Sequence, residues 1–346
     1  MIPLIETSPV VFGSHKSFKN FVLEQEKSKT ESEVEFKDLT VTENGLKVEG
    51  KEHPVRDLAM RQLLKTFQMP IRFYMDKSPT DMTIRDINRM KDEYTDDSVL
   101  KIFFQGNEIR GVADPNFRHV GYAELLKKIP IMQNFKTANY SDWGIRITTA
   151  DPADLIKVKK DDIVEVGTDL VYSDTGWSVF VGRPFFNRLA CMNGMVVREA
   201  TDLISSFRTR FTHHMEKTEW LKAVRKSCKE ITVDSKKMAT IFKVMKDEPL
   251  EKLDSSDNFM RRVRTMVTAE VFNSDKELVK KIRDGEKEKC VLNLGVSIYF
   301  ALAQITVLAK TLAFVERRRL ETMAGGLVMM TLKAIKQGRI KTKLWR

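Results

Sequence analysis

The sequence predicts an α+β protein with a β-rich N-terminal body and a helical C-terminal part. Three features carry that prediction. Apolar residues alternate over 31–50 around an Asn-Gly pair, runs of the same two-residue period recur over 143–185, and from about residue 213 the period becomes helical.

In order along the chain, Val34, Phe36, Leu39 and Val41 face Leu46 and Val48 across Glu43-Asn44-Gly45, the strongest short-range hairpin pattern. A helix is expected from Arg56 to Phe67, with Leu58, Leu63, Leu64 and Phe67 on one face and Pro70 ending it. A second helix is expected from Thr83 to Tyr94, capped by Thr80 or Asp81. Residues 100–120 read as a hairpin turning at Gly106-Asn107, with a further turn at Asp114-Pro115-Asn116, and a short helix follows over Glu124–Ile129. Trp143-Gly-Ile-Arg-Ile, Ile163-Val-Glu-Val and Val179-Phe-Val read as strands, with a tight turn at Asp174-Thr-Gly176 before Trp177. The expected division is an α+β body over 1–212 and a mostly helical region with a basic tail over 213–346. Residues 247–257 (DEPLEKLDSSD) are the best internal boundary, and no repeat is visible.

The uncharged run from Val291 to Ala309 has the length of a bilayer crossing. Asn293, Ser297, Gln304 and Thr306 interrupt it, so a buried core helix is expected and no membrane partner. Met1-Ile-Pro-Leu-Ile-Glu6 lacks a basic leader region. The 3 cysteines, Cys191, Cys228 and Cys290, are widely spaced, form no CxxC pair and read as buried thiols of a reducing cytoplasm.

No GxxxxGK[ST], strand-borne GxGxxG, HExxH or GxSxG stands in the chain. His213 and His214 are adjacent and lie about 100° apart on a helix, while His15, His53 and His119 are isolated. The expectation is a protein without catalytic residues, cofactor or metal.

Charge points to a partner instead. Of the net +11, residues 205–246 hold 11 basic and 4 acidic side chains, and residues 305–346 hold 10 basic and 2 acidic. A surplus gathered in segments suits a polyanion, because phosphate neutralisation releases condensed counterions; it equally suits a solvated basic surface. Within the first segment Phe207-Arg208-Thr209-Arg210-Phe211 alternates aromatic and cationic groups, which on an extended chain places the rings on one face and the guanidinium groups on the other. Trp220, Lys222, Arg225, Lys226 and Lys229 follow at helical spacing, and Arg188 and Arg198 flank a Cys191-Met-Asn193-Gly194 stretch. That stretch reads as a sharp corner before a helix, since Asn-Gly supplies positive φ. The tail adds Lys333, Lys336, Arg339, Lys341, Lys343 and Arg346 around Leu344-Trp345. Both phenylalanines also suit a core, with the arginines snorkelling.

Three stretches resemble a phage- and plasmid-borne family known mainly as a domain of unknown function. They are Leu58-Ala-Met-Arg-Gln-Leu-Leu with Met69-Pro70-Ile71 and Tyr74; Glu108-Ile-Arg-Gly-Val-Ala-Asp114 through Phe117-Arg118-His-Val120; and Tyr172-Ser-Asp-Thr-Gly176 with Arg188-Leu-Ala-Cys191-Met-Asn193-Gly194-Met195-Val196. Phe117 stands where that family commonly has Tyr, and Asp114-Pro-Asn where it has Ser-Asp. A helical end with Glu316-Arg-Arg-Arg-Leu is of the same kind, so the resemblance spans roughly residues 55–330. It implies a phage-type protein of the host cytoplasm, and single-stranded DNA handling is the role most compatible with it. The expected function is therefore binding of single-stranded nucleic acid in replication, recombination or transcription. Phe207, Phe211 or Trp220 would stack bases. Arg188, Arg208, Arg210, Lys222, Arg225, Lys226, Lys229, Lys336, Arg339, Lys341 and Lys343 would meet phosphates. The alternative is an interaction protein whose basic tail grips an acidic host factor. Replication or transcription proteins of phage or host are the further partners, an oligomer is compatible, and no RNP-type or KH-type motif separates RNA from DNA.

Overall fold

The computed structural model describes residues 3–5, 7–93, 98–129, 134–159, 162–188, 193–196, 207–209, 215–229, 231, 233–253, 260, 262–263, 297–310 and 314–341. The fold is α+β, strand-rich in the N-terminal region and helical in the C-terminal region. The chain forms two compact units, each drawn from three stretches. Unit 1 holds Met1–Ile147, Leu170–Val181 and Arg208–Cys228; unit 2 holds Thr148–Asp169, Gly182–Phe207 and Lys229–Arg346. Residue 213 lies inside the last stretch of unit 1.

Unit 1 begins with strands β1 (Leu4–Ile5) and β2 (Val10–Phe12), helix α1 (His15–Glu26), and strands β3 (Lys29–Glu35), β4 (Leu39–Thr42), β5 (Gly45–Val48), β6 (Lys51–His53) and β7 (Val55–Arg56). Helices α2 (Asp57–Thr66), α3 (Ile71–Asp76) and α4 (Thr80–Asp92) follow, then β8 (Val99–Gln105), β9 (Glu108–Ala113), α5 (Tyr122–Lys128) and β10 (Phe135–Ser141). One sheet has the order β1-β7-β9-β8-β3, with β7 parallel to β1 and β9 and the other pairs antiparallel; β4-β5-β6 form a meander.

The alternation that predicted these strands becomes their buried face. Val34, Leu100, Ile102, Ile109 and Val112 of the sheet meet Leu39, Val41, Leu46 and Val48 of the meander in one cluster. Helix α2 closes that cluster with Ala59, Met60, Leu63 and Leu64, leaving Asp57, Arg61 and Lys65 on its outer, i,i+4 side. Helix α2 ends at Thr66 with Phe67 as its C-cap, as expected, but Pro70 does not make the stop, and α4 starts earlier than expected. Helix α2 stops before Pro70 is reached: Gln68 takes φ +56°, and the Met69 N–H donates to Leu64 O at 2.9 Å, while Pro70 instead opens α3. Helix α4 starts at Thr80, so Thr80 and Asp81 are first-turn residues rather than caps, and the Thr83 hydroxyl donates back to Pro79 O at 3.1 Å.

Strands β11 (Gly144–Lys159), β12 (Asp162–Tyr172) and β13 (Phe180–Arg188) each pass from one unit into the other. The sheet has the order β2-β10-β11-β12-β13-β14, with β14 spanning Asn193–Val196, and β15 (Phe207–Thr209) also pairs with β13. Asn193 and Gly194 are paired strand residues opposite Arg188 and Asn187, which corrects the expected corner before a helix.

The helices of the C-terminal region are α6 (Lys217–Lys229), α7 (Ser235–Asp247), α8 (Ile298–Lys310) and α9 (Phe314–Lys336). In unit 2 the core joins Phe186 and Met195 to Met238, Ile241 and Phe242 of α7, Leu302 and Ile305 of α8, and Leu327 and Val328 of α9. Residues 247–257, expected as a boundary, contribute Leu250 and Leu253 to that core instead. Residues 291–296 of the expected core helix Val291–Ala309 lie outside the described residues; the remainder falls on α8, where Ile298, Ala301, Leu302, Ile305 and Ala309 are buried and the Thr306 hydroxyl donates to Ala303 O at 2.8 Å. Among the described residues no helix is long and apolar enough to cross a membrane.

This packing makes α8 asymmetric in its tolerance. Ala301→Glu, at a site with no exposure, is expected to remove the cooperative thermal transition of unit 2 followed by circular dichroism, because an unpaired carboxylate is placed among apolar side chains. Phe300→Glu, where the ring is 39% exposed, is expected to shift stability by no more than about 0.5 kcal/mol. Equal damage from both would contradict the packing described.

Candidate nucleic-acid interface

In unit 1, Gln62, Arg110 and the Tyr172–Gly176 part of the third stretch, one from each motif stretch, come together around a buried ion cluster. Arg110 on β9 donates from its two terminal nitrogens to the two oxygens of Asp174, at 2.9 and 2.8 Å. Lys29 at the start of β3 donates to the same carboxylate at 2.9 Å and to Glu26 of α1 at 2.5 Å. The Asp174 N–H donates to the Tyr122 hydroxyl at 3.3 Å, and the Lys29 ammonium lies 4.2 Å from the centre of that ring. Gln62 of α2 serves both neighbouring elements: its amide nitrogen donates to Thr175 O at 2.8 Å and its oxygen accepts the Val112 N–H at 3.0 Å. The Tyr172 hydroxyl accepts the Val120 N–H at 3.0 Å.

Burial opposes ionisation of Asp174, but Arg110 and Lys29 outweigh it and hold the carboxyl far below the usual carboxylate range. Lys29 is raised: burial works against its charge and Asp174 more than restores it. Burial pushes the Tyr122 and Tyr172 hydroxyls up, so both stay protonated at neutral pH. The cluster's charges answer one another within the fold, and its work is positional.

What it positions is the turn from Ser173 to Ser178. The Ser173 N–H donates to Ser178 O at 3.1 Å, and Gly176 takes φ +81°, where a Cβ would meet the Phe117 ring at 3.0 Å. The next residue, Trp177, is 39% exposed and sits against Trp143, with ring centres 5.0 Å apart and planes at 71°. Trp143 is placed by the turn between β10 and β11, where Gly144 has φ +132° and a Cβ would lie 2.3 Å from Tyr172 O. From the outer side of α2, Arg61 lies 5.9 Å from the Trp143 ring centre and Lys65 6.0 Å from that of Trp177. Arg61 is itself held by Asp57, Nε to Oδ2 at 2.7 Å. The sequence reading missed this group. Its trace in the sequence is a tryptophan beside a glycine at each of two strand turns, and a basic i,i+4 pair on the polar side of α2.

Helix α6 carries the other cationic surface. Lys222, Arg225, Lys226 and Lys229 are exposed along one side, while Trp220, Leu221 and Val224 are buried on the other. Trp220 has no exposure and packs against Tyr172 and Phe180, with ring centres 5.7 and 6.2 Å away. This corrects the expectation that Trp220 stacks on bases: it is a core residue that anchors α6.

Arg208 is exposed on β15, and the backbones of Phe207 and Arg188 belong to β15 and β13. Arg210, Phe211, Arg198, Cys191, Cys290, His213, His214 and Lys343 lie outside the described residues. Lys336, Arg339 and Lys341 are exposed at the end of α9 and just beyond it. Burial pushes the Cys228 thiol up to about 12, which keeps it protonated and unreactive at neutral pH. His53 holds Asn107 O at 3.0 Å, and His119 faces Glu31 at 2.9 Å. Among the described residues no group of three or more His, Cys, Asp or Glu side chains is placed to hold a metal ion. No protein-family model, no curated protein and no solved structure matches the chain.

The ion cluster sets a pH window for stability. A carboxyl whose folded pKa is depressed stabilises fully above its unfolded value of about 3.9 and loses that contribution as pH falls further. A raised lysine stabilises fully below its unfolded value of about 10.4 and loses the contribution as pH rises. The cluster therefore contributes fully between about pH 5 and pH 10, and stability is expected to fall steeply below about pH 4. Asp174→Asn is expected to cost about 3–5 kcal/mol at neutral pH, since Arg110 and Lys29 lose their shared anion, and to flatten the acid limb. Urea unfolding of both proteins across acid and neutral pH checks this; unchanged midpoints would refute it.

Proposed function

We propose that the chain is a sequence-tolerant binder of single-stranded nucleic acid, DNA in the first instance, that works without catalysis in the replication, recombination or transcription of a phage within its host's cytoplasm. The observation that carries this reading is the exposed basic side of α6. Lys222, Arg225, Lys226 and Lys229 follow the helix for about 10 Å while the opposite side is locked into the core by Trp220. Such a row of cations meets a phosphate backbone without reading bases, and the release of counterions supplies the free energy. Arg208, and the motif resemblance to the phage- and plasmid-borne family, support the same reading.

A second reading rests on the exposed Lys333, Lys336, Arg339 and Lys341 at the end of the chain. A basic tail of that kind would grip an acidic surface on a host protein. The two readings separate by where charge removal is felt.

In the first reading, log affinity for a labelled oligonucleotide falls linearly with log salt, at a slope of about −0.7 per phosphate contacted. Lys222→Ala with Arg225→Ala is expected to lower that slope by about 1.4 and to leave the melting temperature in place. Trp220→Ala is expected to cost about 3–5 kcal/mol of stability, with its loss of binding explained by unfolding. An unchanged slope in the double variant, together with loss of a host partner on deletion of residues 338–346, would favour the tail reading.

A further inference from the structure

We propose that Trp143 and Trp177, with Arg61 and Lys65, form the base-stacking site of the single strand, and that this site gives the protein its preference for unpaired over paired nucleic acid. The inference rests on the binding function proposed above and names the part of the ligand that the α6 cations do not address.

Trp177 spends exposed apolar surface that a folded chain ordinarily buries. Its indole is 39% exposed, beside a second indole, in a turn that the Asp174 cluster fixes from beneath. A ring held out in this way is available without reorganisation, which is where much of the entropy of binding is otherwise lost. The ring pair itself sets the mode. With centres 5.0 Å apart and planes at 71°, the two indoles leave no room for a base between them, since a sandwich needs parallel rings about 7 Å apart. The base therefore stacks on the outward surface of Trp177, with Trp143 supporting that ring edge-on.

The cations complete the match to a nucleotide. Lys65 is exposed, 6.0 Å from the Trp177 centre, and Arg61 is 5.9 Å from that of Trp143. Asp57 neutralises part of the Arg61 charge, so Lys65 is the principal phosphate contact. An indole face with an adjacent cation accepts any of the bases, because each has a π-face and a neighbouring phosphate. A paired base is stacked on its neighbours and must be extruded before its face is free, so duplex gains nothing from this site.

The test uses the full chain, labelled oligothymidylate, and the same strand annealed to oligoadenylate, read by fluorescence anisotropy. Trp177→Ala is expected to weaken single-strand binding by about 5- to 150-fold, with the salt slope and the duplex affinity unchanged. Trp177→Phe is expected to keep most of the affinity. Lys65→Glu, an exposed change with little bearing on folding, is expected to weaken binding and to reduce the slope by about 0.7. If the wild-type protein binds the strand with a normal salt slope while Trp177→Ala and Lys65→Glu bind equally well, the stacking site is overturned and the α6 reading stands. If the wild-type protein binds neither probe, both fall.

Discussion

A carboxylate buried to 1% exposure is tolerable only if its charge is met, and Asp174 is met by two cations, the fork of Arg110 and the ammonium of Lys29. The two cations come from different parts of unit 1, so the ion ties β9 and β3 to the turn after β12, and the Tyr122 hydroxyl adds α5 by accepting the Asp174 N–H at 3.3 Å. Replacing any single partner by an apolar group would strand charge in the interior. The arrangement gains little stability over a well-packed apolar core and a great deal of definition, because a paired charge has one acceptable geometry. Gln62 extends the same logic with a neutral group, its amide bridging the turn to β9 through Thr175 and Val112.

Local elements of this fold were legible in the sequence because their causes are local. The hairpin at Glu43-Asn44 and the one at Gly106-Asn107 follow from alternation and turn chemistry within a few residues, and the structure has both. The turn at Asp114 is likewise self-made, the Asn116 and Phe117 N–H groups donating to the Asp114 side chain and carbonyl at 2.8 Å each. Helix ends were less legible. A proline marks a place where a helix has already had to stop, and at α2 the stop is made earlier, by the left-handed turn at Gln68. The ion cluster was beyond reach: Arg110 is 64 residues from Asp174 and Lys29 is 145, and no pattern in one sequence joins groups so far apart.

The proposed binding surface was half legible for a more instructive reason. The helical period that puts Lys222, Arg225, Lys226 and Lys229 on one side of α6 also puts Trp220 about 200° from Lys222, on the side with Leu221 and Val224. Reading the tryptophan as part of the basic surface conflicted with the geometry that defined that surface. An aromatic ring near cations in sequence is a neighbour of them in space only when the backbone period agrees. Trp143 and Trp177, 34 positions apart, meet because two strand turns of one sheet end side by side, and their cations arrive from a helix in another part of the chain.

Cations and rings respond to different conditions, which in the proposed function gives the two surfaces separate duties. Attraction between the α6 side chains and phosphate weakens as salt rises, because the counterions released on binding are then less dilute. Stacking on an indole depends on removing apolar surface from water and is insensitive to that change. Position also differs: the α6 cations stand on the exposed side of their helix, whereas Trp177 is held by the turn above Asp174. In the proposed function the row of cations suits capture of a strand in any register, and the fixed ring suits the choice between a free base and a paired one. On that proposal, selectivity for unpaired nucleic acid depends, through one turn, on the Asp174 ion cluster.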